Sequence, residues 1–334
     1  MPSSIGTNST PGPERDRAFD VARLVAALAV IIVHSPGLDR VPDWSLPLRF
    51  AVPFFCCTAV HFAFVRFRGH GRVLPFREYV EDRFERVYRP FISWSLIYAL
   101  VQLVAFWAGI ADNEPALGAH LFLLGGAAHL WFIPFILVAG VLAYGAMPIV
   151  SRHPTAVSCV AAMVALGLSA WQAWVHGRPE DLPLPMQLVA RSTSIFAALA
   201  IVSMTLGVGA RTLLRRTVGV VGAGFVLAGS WLAVSEGGSR VMWGTAIGVA
   251  AYCACLGAWR WRWMDAVGWL GPYSLGVYFA HYAFIEGYED IARKFLGVRI
   301  DPFSNAALVA ASTASAILVV WVLARSKATR FLVR

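Results

Sequence analysis

The stretch RDRAFDVARLVAALAVIIVHS, residues 15–35, places ten consecutive apolar residues between a charged beginning and a histidine. An α-helix rises about 1.5 Å per residue, so a helix that crosses the roughly 30 Å hydrocarbon core of a bilayer needs about 20 mostly apolar residues. The stretch meets this requirement. It therefore predicts a membrane-spanning helix over 18–36, with Arg23 near its beginning and His34 near its end.

Apolar segments of similar length recur along the whole chain. Of its 334 residues, 58% are hydrophobic and 14% are charged, whereas about a quarter of the residues of an ordinary soluble domain carry a charge. We predict an all-α, polytopic transmembrane helix bundle of about ten spans, at 18–36, 48–66, 90–110, 128–150, 155–175, 186–209, 217–235, 240–258, 270–287 and 304–324. Within 120–129, the sequence HLFLLGGAAH also suits an interfacial or re-entrant segment.

The distribution of basic residues predicts the orientation of these spans. When the N-terminus is placed in the cytoplasm, twenty of the 28 arginines and lysines fall on the cytoplasmic side, as the positive-inside rule requires. We therefore expect both termini in the cytoplasm and a multi-pass location in the plasma membrane. The net charge of +9 reports this topology, and no nucleic acid partner is predicted. Residues 1–17 are expected to form a disordered tail, 18–324 the transmembrane domain and 325–334 a cytoplasmic C-terminal tail.

Arg23 and His34 are predicted to share one face of the first helix. They are eleven residues apart, which is close to three helical turns and about 16 Å along the axis. Asp20 lies three residues before Arg23 and can pair with it. A polar side chain at membrane depth is costly unless it faces the protein interior or a watery cavity. Two interpretations follow: a lipid-anchoring arginine with a hydrogen-bonded histidine, or a polar stripe that faces a substrate passage.

Four motifs lie at the positions of predicted spans. In chain order these are R-x10-H at 23–34, RFERVYRPF at 83–91, HLWFIPFIL at 129–137 and LGPYSLGVYFAH at 270–281. Together they resemble the acyltransferase 3 family of integral membrane acyltransferases. The resemblance extends over nearly the whole chain. It implies an enzyme that moves an acyl group, with acetyl as the expected one, from acyl-CoA in the cytoplasm to a hydroxyl, often of a sugar. Many relatives carry an additional soluble hydrolase-like domain, and we expect none here.

The resemblance implies that His34 is the catalytic centre. Its imidazole can act as a general base for the acceptor hydroxyl, or it can accept the acyl group itself as an acyl-imidazole. We assign Arg23 and Asp20 to the same catalytic group because they lie on the same helix face.

The arginines of the second motif are candidates for donor binding. Acyl-CoA carries phosphate groups, which arginine binds with a planar fork of donors. We predict that Arg83, Arg86 and Arg89 bind acyl-CoA as a co-substrate, with no permanently bound cofactor. Arg89 stands where the family more usually has an apolar residue, which leaves open which of the three arginines binds the donor. The alternative is a basic loop that only fixes the topology and binds anionic lipid.

Polar residues of the third and fourth motifs are candidates for the acceptor site. Ser274, Tyr278 and His281 share one stripe of the ninth span, so they are expected to face inward. His129 and Trp131 lie at the beginning of the predicted span 128–150, on the outer side of the membrane in the predicted topology. We predict that these five residues bind a sugar-containing or small-molecule hydroxyl acceptor. The alternatives are interhelical hydrogen bonds for the stripe and an interfacial position for Trp131.

Two other classes of protein fit parts of the sequence. In a transporter or flippase for a lipid-linked or glycan substrate, intramembrane His and Arg residues would serve gating or proton relay. The function of a non-catalytic assembly subunit would not depend on any of these His and Arg residues. No Gly-x-Ser-x-Gly, HExxH or Walker sequence is present, which argues against a hydrolase, a zinc protease or a nucleotide-driven pump. The five cysteines lie in apolar segments without a CxxC pair, so neither disulfides nor a metal site is predicted.

Overall fold

The computed structural model describes residues 16–35, 45–68, 73–109, 118–127, 129–174, 183–207, 211–236, 240–257, 262–292, 297 and 302–333. Within these ranges the chain forms helices and short helical turns and no strand, which confirms the predicted all-α class. The α-helices are α1 Arg17–Val33, α2 Ala51–Arg68, α3 Phe76–Arg83, α4 Arg89–Trp107, α5 His120–Leu123, α6 Phe132–Arg152, α7 Pro154–Trp174, α8 Leu184–Arg191, α9 Thr193–Gly207, α10 Arg211–Glu236, α11 Arg240–Gly257, α12 Arg262–Gly268, α13 Ser274–Asp290 and α14 Pro302–Arg325. Most of the predicted N-terminal tail lies outside the described residues.

Seven helical stretches in the described ranges are long and apolar enough to cross a membrane, and they are Pro47–Arg68, Phe76–Trp107, Phe132–Arg152, Pro154–Gln172, Pro185–Thr205, Leu214–Ser235 and Asn305–Arg325. Helices also occupy the other three predicted spans, but they are shorter. α1 and α13 have 17 residues each, and the apolar part of α11 covers Met242–Gly257. The multi-pass architecture is therefore supported, while ten crossings and cytoplasmic termini stay predictions.

Helix α1 occupies a central position in the bundle. The carboxylate of Asp16 accepts a hydrogen bond from the backbone N–H of Ala18 at 3.1 Å and so caps the helix. The helix begins at Arg17, one residue before the predicted start at 18. Phe19, Ala26 and Ile31 are fully or almost fully buried, and α1 packs against α2, α13 and α14. Most of α1 is thus covered by protein, so its polar residues face neighbouring helices.

A π-helical turn over Phe84–Tyr88 joins α3 to α4 into one continuous stretch. Pro90 lies at the beginning of α4. Proline has no backbone N–H and its ring collides with the carbonyl one turn earlier, so the wider turn accommodates it without ending the helix. The extra residue of this turn changes which way the following side chains point, a change that the regular spacing of the arginines did not predict.

The segment between α5 and α6 enters the protein interior rather than lying on its surface. Gly125 has φ +91°, a conformation that favours glycine. A Cβ on Gly126 would lie 2.3 Å from the backbone oxygen of Ser95, so the segment passes in close contact with α4. Leu130 is fully buried. This path carries His129 into the centre of the bundle, while the interfacial or re-entrant character of 120–129 stays a prediction.

Candidate active site

Two cavities lie between the helices and meet at a shared wall. The arginine cavity, with a volume of about 150 Å³, is lined by charged, apolar and aromatic side chains that include Arg23, Phe55, Phe62, Arg83, Phe132 and Tyr278. The histidine cavity, with a volume of about 230 Å³, is lined by side chains that include His34, Arg49, His129, Trp131, Phe132, Arg191 and Tyr278. Phe132 and Tyr278 line both cavities.

Two guanidinium groups reach the arginine cavity, one from α1 and one from α3. Arg23 pairs with the carboxylate of Asp20, as predicted, and lies 5.2 Å from the centre of the Phe62 ring. Arg83 donates to Asp82 at 2.8 Å. The Nε of Arg83 is buried and has no hydrogen-bond partner within the described ranges.

The other two arginines of the second motif lie away from this cavity. Arg86 is 61% exposed and pairs with Asp82 at 2.7 Å. Arg89 is 52% exposed, pairs with Glu85 at 2.8 Å and stacks over the ring of Phe331 at 4.5 Å. The structure therefore brings only Arg83 of the three into the candidate site, and it gives Arg89 contacts within the protein.

His34 lies just beyond the last residue of α1, where it lines the histidine cavity. Its Nδ1 is 3.0 Å from the backbone oxygen of Val30. A carbonyl oxygen can only accept, so Nδ1 carries the proton and Nε2 carries the lone pair. The contact selects the tautomer in which Nε2 is the basic and nucleophilic nitrogen.

Aromatic rings from the segment before α6 and from α13 surround the imidazole of His34. The ring centres of His129 and His281 lie 6.1 Å and 5.9 Å from that of His34, and the two are 4.9 Å from each other. Tyr282 lies 5.9 Å from His34 and 4.9 Å from His129. Although three histidines converge here, no set of three or more His, Cys, Asp or Glu side chains in the described ranges has a geometry that could hold a metal ion.

The predicted stripe on α13 faces inward, and its three members have different positions. Ser274, Tyr278 and His281 are 4%, 3% and 0% exposed. Ser274 lines the arginine cavity, whereas Tyr278 lines both cavities. His281 lies behind His34, with its Nδ1 2.7 Å from the backbone oxygen of Tyr278. The Tyr278 hydroxyl donates to the backbone oxygen of His129, so this side chain also joins α13 to the segment before α6.

Three aromatic rings separate the two cavities. The ring centres of Phe55 and Phe132 are 6.0 Å apart, those of Phe132 and Tyr278 are 6.1 Å apart, and those of Phe55 and Tyr278 are 6.5 Å apart. We call these three residues the aromatic partition. The suggested passage from His34 to the arginines therefore runs past these rings, where the two cavities share the wall formed by Phe132 and Tyr278.

Residues 16–325 match a family model described as an acyltransferase domain, that of acyltransferase 3. The chain belongs to the acyltransferase 3 family. This membership decides between the function classes left open by the sequence, because it supports a membrane acyltransferase over a transporter or an assembly subunit. Comparison with curated proteins and with solved structures gave no match.

The site of this acyltransferase 3 protein contains two arginines that the motifs did not identify. Arg191, at the end of α8, stacks over the Trp131 ring at 4.0 Å, and Arg49 precedes α2. Both line the histidine cavity. The sequence contained a signal for both arginines. The predicted topology places them toward the outer side of the membrane, where the positive-inside rule disfavours basic residues. Trp131, predicted from the third motif, is half-buried against Arg191 rather than directed only to lipid.

The arrangement separates two chemical tasks in this acyltransferase 3 protein. One chamber offers guanidinium donors beside apolar walls, which suits an anionic group with an attached acyl chain. The other offers an imidazole of defined tautomer beside aromatic surfaces, which suits a hydroxyl-bearing molecule. Phe132 and Tyr278 are the residues that contact both spaces.

Proposed function

We propose that this protein transfers an acetyl or similar acyl group from acyl-CoA to a hydroxyl of a sugar-containing or small-molecule acceptor. The observation that carries the proposal is the shared wall at Tyr278, which has Arg23 and Arg83 on one side and His34 on the other. Membership of the acyltransferase 3 family supports the transfer of an acyl group. The donor, the acyl group and the acceptor are the parts that we infer.

Acyl-CoA suits the arginine cavity because its phosphates pair with guanidinium groups while its acyl end requires an apolar space. Arg83 has a buried Nε without a protein partner in the described part of the chain, and Arg23 lines the same cavity. Ile133, Ile136 and Leu137 line the apolar side. In this arrangement Arg83 binds the donor, whereas Arg86 and Arg89 contribute general positive charge at the surface.

The chemical step requires the lone pair on Nε2 of His34. In a direct transfer this nitrogen takes the proton of the acceptor hydroxyl while the oxygen attacks the thioester carbonyl. The C–O bond forms, the C–S bond breaks, and the CoA sulfur leaves and receives the proton. In a two-step transfer Nε2 attacks the thioester first, the C–S bond breaks and the CoA thiolate leaves, which gives an N-acylimidazolium that keeps its Nδ1 proton. The acceptor hydroxyl then attacks the acyl carbon, the C–N bond breaks, and the hydroxyl proton passes to the thiolate. Both routes start from a protonated Nδ1 and a lone pair on Nε2, which the contact with the Val30 carbonyl supports.

The acceptor binds in the histidine cavity beside His129 and Trp131 in this proposal. An indole ring gives a sugar face a flat apolar surface, and the Arg191 guanidinium behind it holds the ring in place. With the predicted topology, the donor enters from the cytoplasm and the acceptor is modified from the opposite side of the plasma membrane. The proposed reaction is an O-acetylation, with carbohydrate as the expected acceptor class.

The test is the consumption of radiolabelled acetyl-CoA by the purified protein in detergent. His34→Ala should lower the rate by about 10² to 10⁴-fold, the usual contribution of a general acid–base group. His153→Ala is the matched control, because His153 is exposed at the junction of α6 and α7. If folded His34→Ala retains the wild-type rate, or if the wild type never consumes acetyl-CoA, the proposed function is wrong.

A further inference from the structure

The aromatic partition lies where the two cavities meet, because Phe132 and Tyr278 line both of them and Phe55 lines the arginine cavity. Its three ring centres lie 6.0 to 6.5 Å apart, within the range at which aromatic rings pack in direct contact. Phe132 is 2% exposed and Tyr278 is 3% exposed. An acyl group that travels from the arginine cavity to His34 therefore passes these rings.

The three rings are held to different degrees. Tyr278 is anchored at its far end, because its hydroxyl donates to the backbone oxygen of His129. Phe55 and Phe132 have no polar atom to anchor them and are held only by packing, Phe132 against Trp131 at 5.8 Å and Phe55 against Phe54 at 6.0 Å. The phenylalanine rings thus lack the polar anchor that holds Tyr278.

We propose that Phe55 and Phe132, closing against Tyr278, determine the length of the acyl group that this enzyme transfers. The inference rests on the proposed function and extends it to the substrate class. Movement of one ring opens a space of about one side chain, which admits a short, unbranched group such as acetyl or propionyl. A longer chain would have to displace both phenylalanines together, and each displaced ring loses its packing contacts.

The expected size of the selection follows from how hydrophobic sites discriminate chain length. One methylene in such a site changes the relative rate by about 10 to 200-fold. Replacement of either phenylalanine by alanine removes a whole ring from the partition and should relieve this penalty. The ratio of the butyryl-CoA rate to the acetyl-CoA rate should then rise at least about tenfold over the wild-type ratio.

The experiment compares acetyl-, butyryl- and hexanoyl-CoA as donors for the purified full-length protein. The variants are Phe55→Ala, Phe132→Ala and the milder Phe132→Leu, each checked for folding by its thermal unfolding in detergent. Phe284→Ala is the matched control, since Phe284 is on α13 like Tyr278 but packs against Tyr288 and lines neither cavity.

The outcomes are distinct. A raised butyryl-to-acetyl ratio in Phe55→Ala, Phe132→Ala or Phe132→Leu, with the wild-type ratio in Phe284→Ala, supports the proposal. Unchanged ratios in all the folded partition variants, or an equal rise in Phe284→Ala, overturn it while leaving the proposed function in place. Loss of all turnover in every folded partition variant also overturns it, because the rings would then serve the reaction rather than select the chain. A wild type that consumes none of the three donors overturns the proposed function and this inference with it.

Discussion

Arg23 and His34 project from the same helix, α1, into different cavities. They are eleven positions apart, which corresponds to about three turns, or about 16 Å along the axis. One rigid helix therefore sets the distance between the charged end of the arginine cavity and the imidazole. Because α1 is packed on several sides by α2, α13 and α14, this distance is a property of the fold and does not depend on a mobile loop.

Donor binding should depend on Arg83 and much less on Arg86. A hydrogen bond to a charged group contributes about 1.5 to 3 kcal/mol, so Arg83→Gln should raise the KM for acetyl-CoA by about tenfold or more. Arg86→Gln should change it by less than about threefold, because exposed ion pairs contribute little and Arg86 is 61% exposed. Steady-state kinetics of the two purified variants measure the difference. Equal effects of the two substitutions would mean that donor binding is not located in the arginine cavity.

Asp20→Asn should destabilise the protein. Asp20 is 1% exposed and pairs with Arg23, so loss of its charge removes a charge-assisted hydrogen bond worth about 1.5 to 3 kcal/mol. Thermal unfolding in detergent should show a clearly lower midpoint. Asp265→Asn provides the comparison, because Asp265 is 43% exposed and pairs with Arg17 at 3.4 Å, an interaction worth less than about 1 kcal/mol. A larger shift for Asp265→Asn would contradict the assigned role of the buried pair.

Gly126→Ala should weaken the site through the backbone that carries His129. The new Cβ would lie 2.3 Å from the backbone oxygen of Ser95, so the segment must shift, at a cost of about 1 to 3 kcal/mol. We expect a lower unfolding midpoint together with a lower rate of transfer. Gly224→Ala tests whether glycine loss alone has this effect, since a Cβ there meets nothing within 4 Å. That variant should retain the wild-type rate and midpoint.

A covalent acyl-enzyme should accumulate when the acceptor is absent. In the two-step route, Nε2 of His34 takes the acyl group before the acceptor hydroxyl attacks, so the intermediate persists when no acceptor is present. Incubation with radiolabelled acetyl-CoA should give a protein-bound label that hydroxylamine removes, and folded His34→Gln should carry none. Turnover without any bound label in the wild type would instead support the direct route.

Most of the fold could be predicted from the sequence. The apolar stretches gave positions for ten helices, and helices occupy all ten of those positions within the described ranges. Length and apolar composition are local properties, so they can be read one segment at a time. The π-helical turn at Phe84–Tyr88 could not be read in this way. It results from the conflict between Pro90 and regular helical hydrogen bonding, and it changes the directions of the neighbouring arginines.

The candidate site was predicted in part. His34, His129 and Trp131 line one cavity and Arg23 and Arg83 line the other, and the four motifs had identified all five. Their catalytic and binding roles stay predictions. The separation of Arg83 from Arg86 and Arg89, and the participation of Arg49 and Arg191, required knowledge of which helices are neighbours.

By itself, the sequence determined that this chain is a helical membrane protein with the acyltransferase 3 motifs in order, because hydropathy, helical period and motif spacing are properties of neighbouring residues. Only the tertiary structure decided which rings lie where the two cavities meet. The partition consists of Phe55, Phe132 and Tyr278, which come from three helices far apart in the chain. Contacts among such residues depend on how whole helices pack, and the spacing within any one segment does not contain that information.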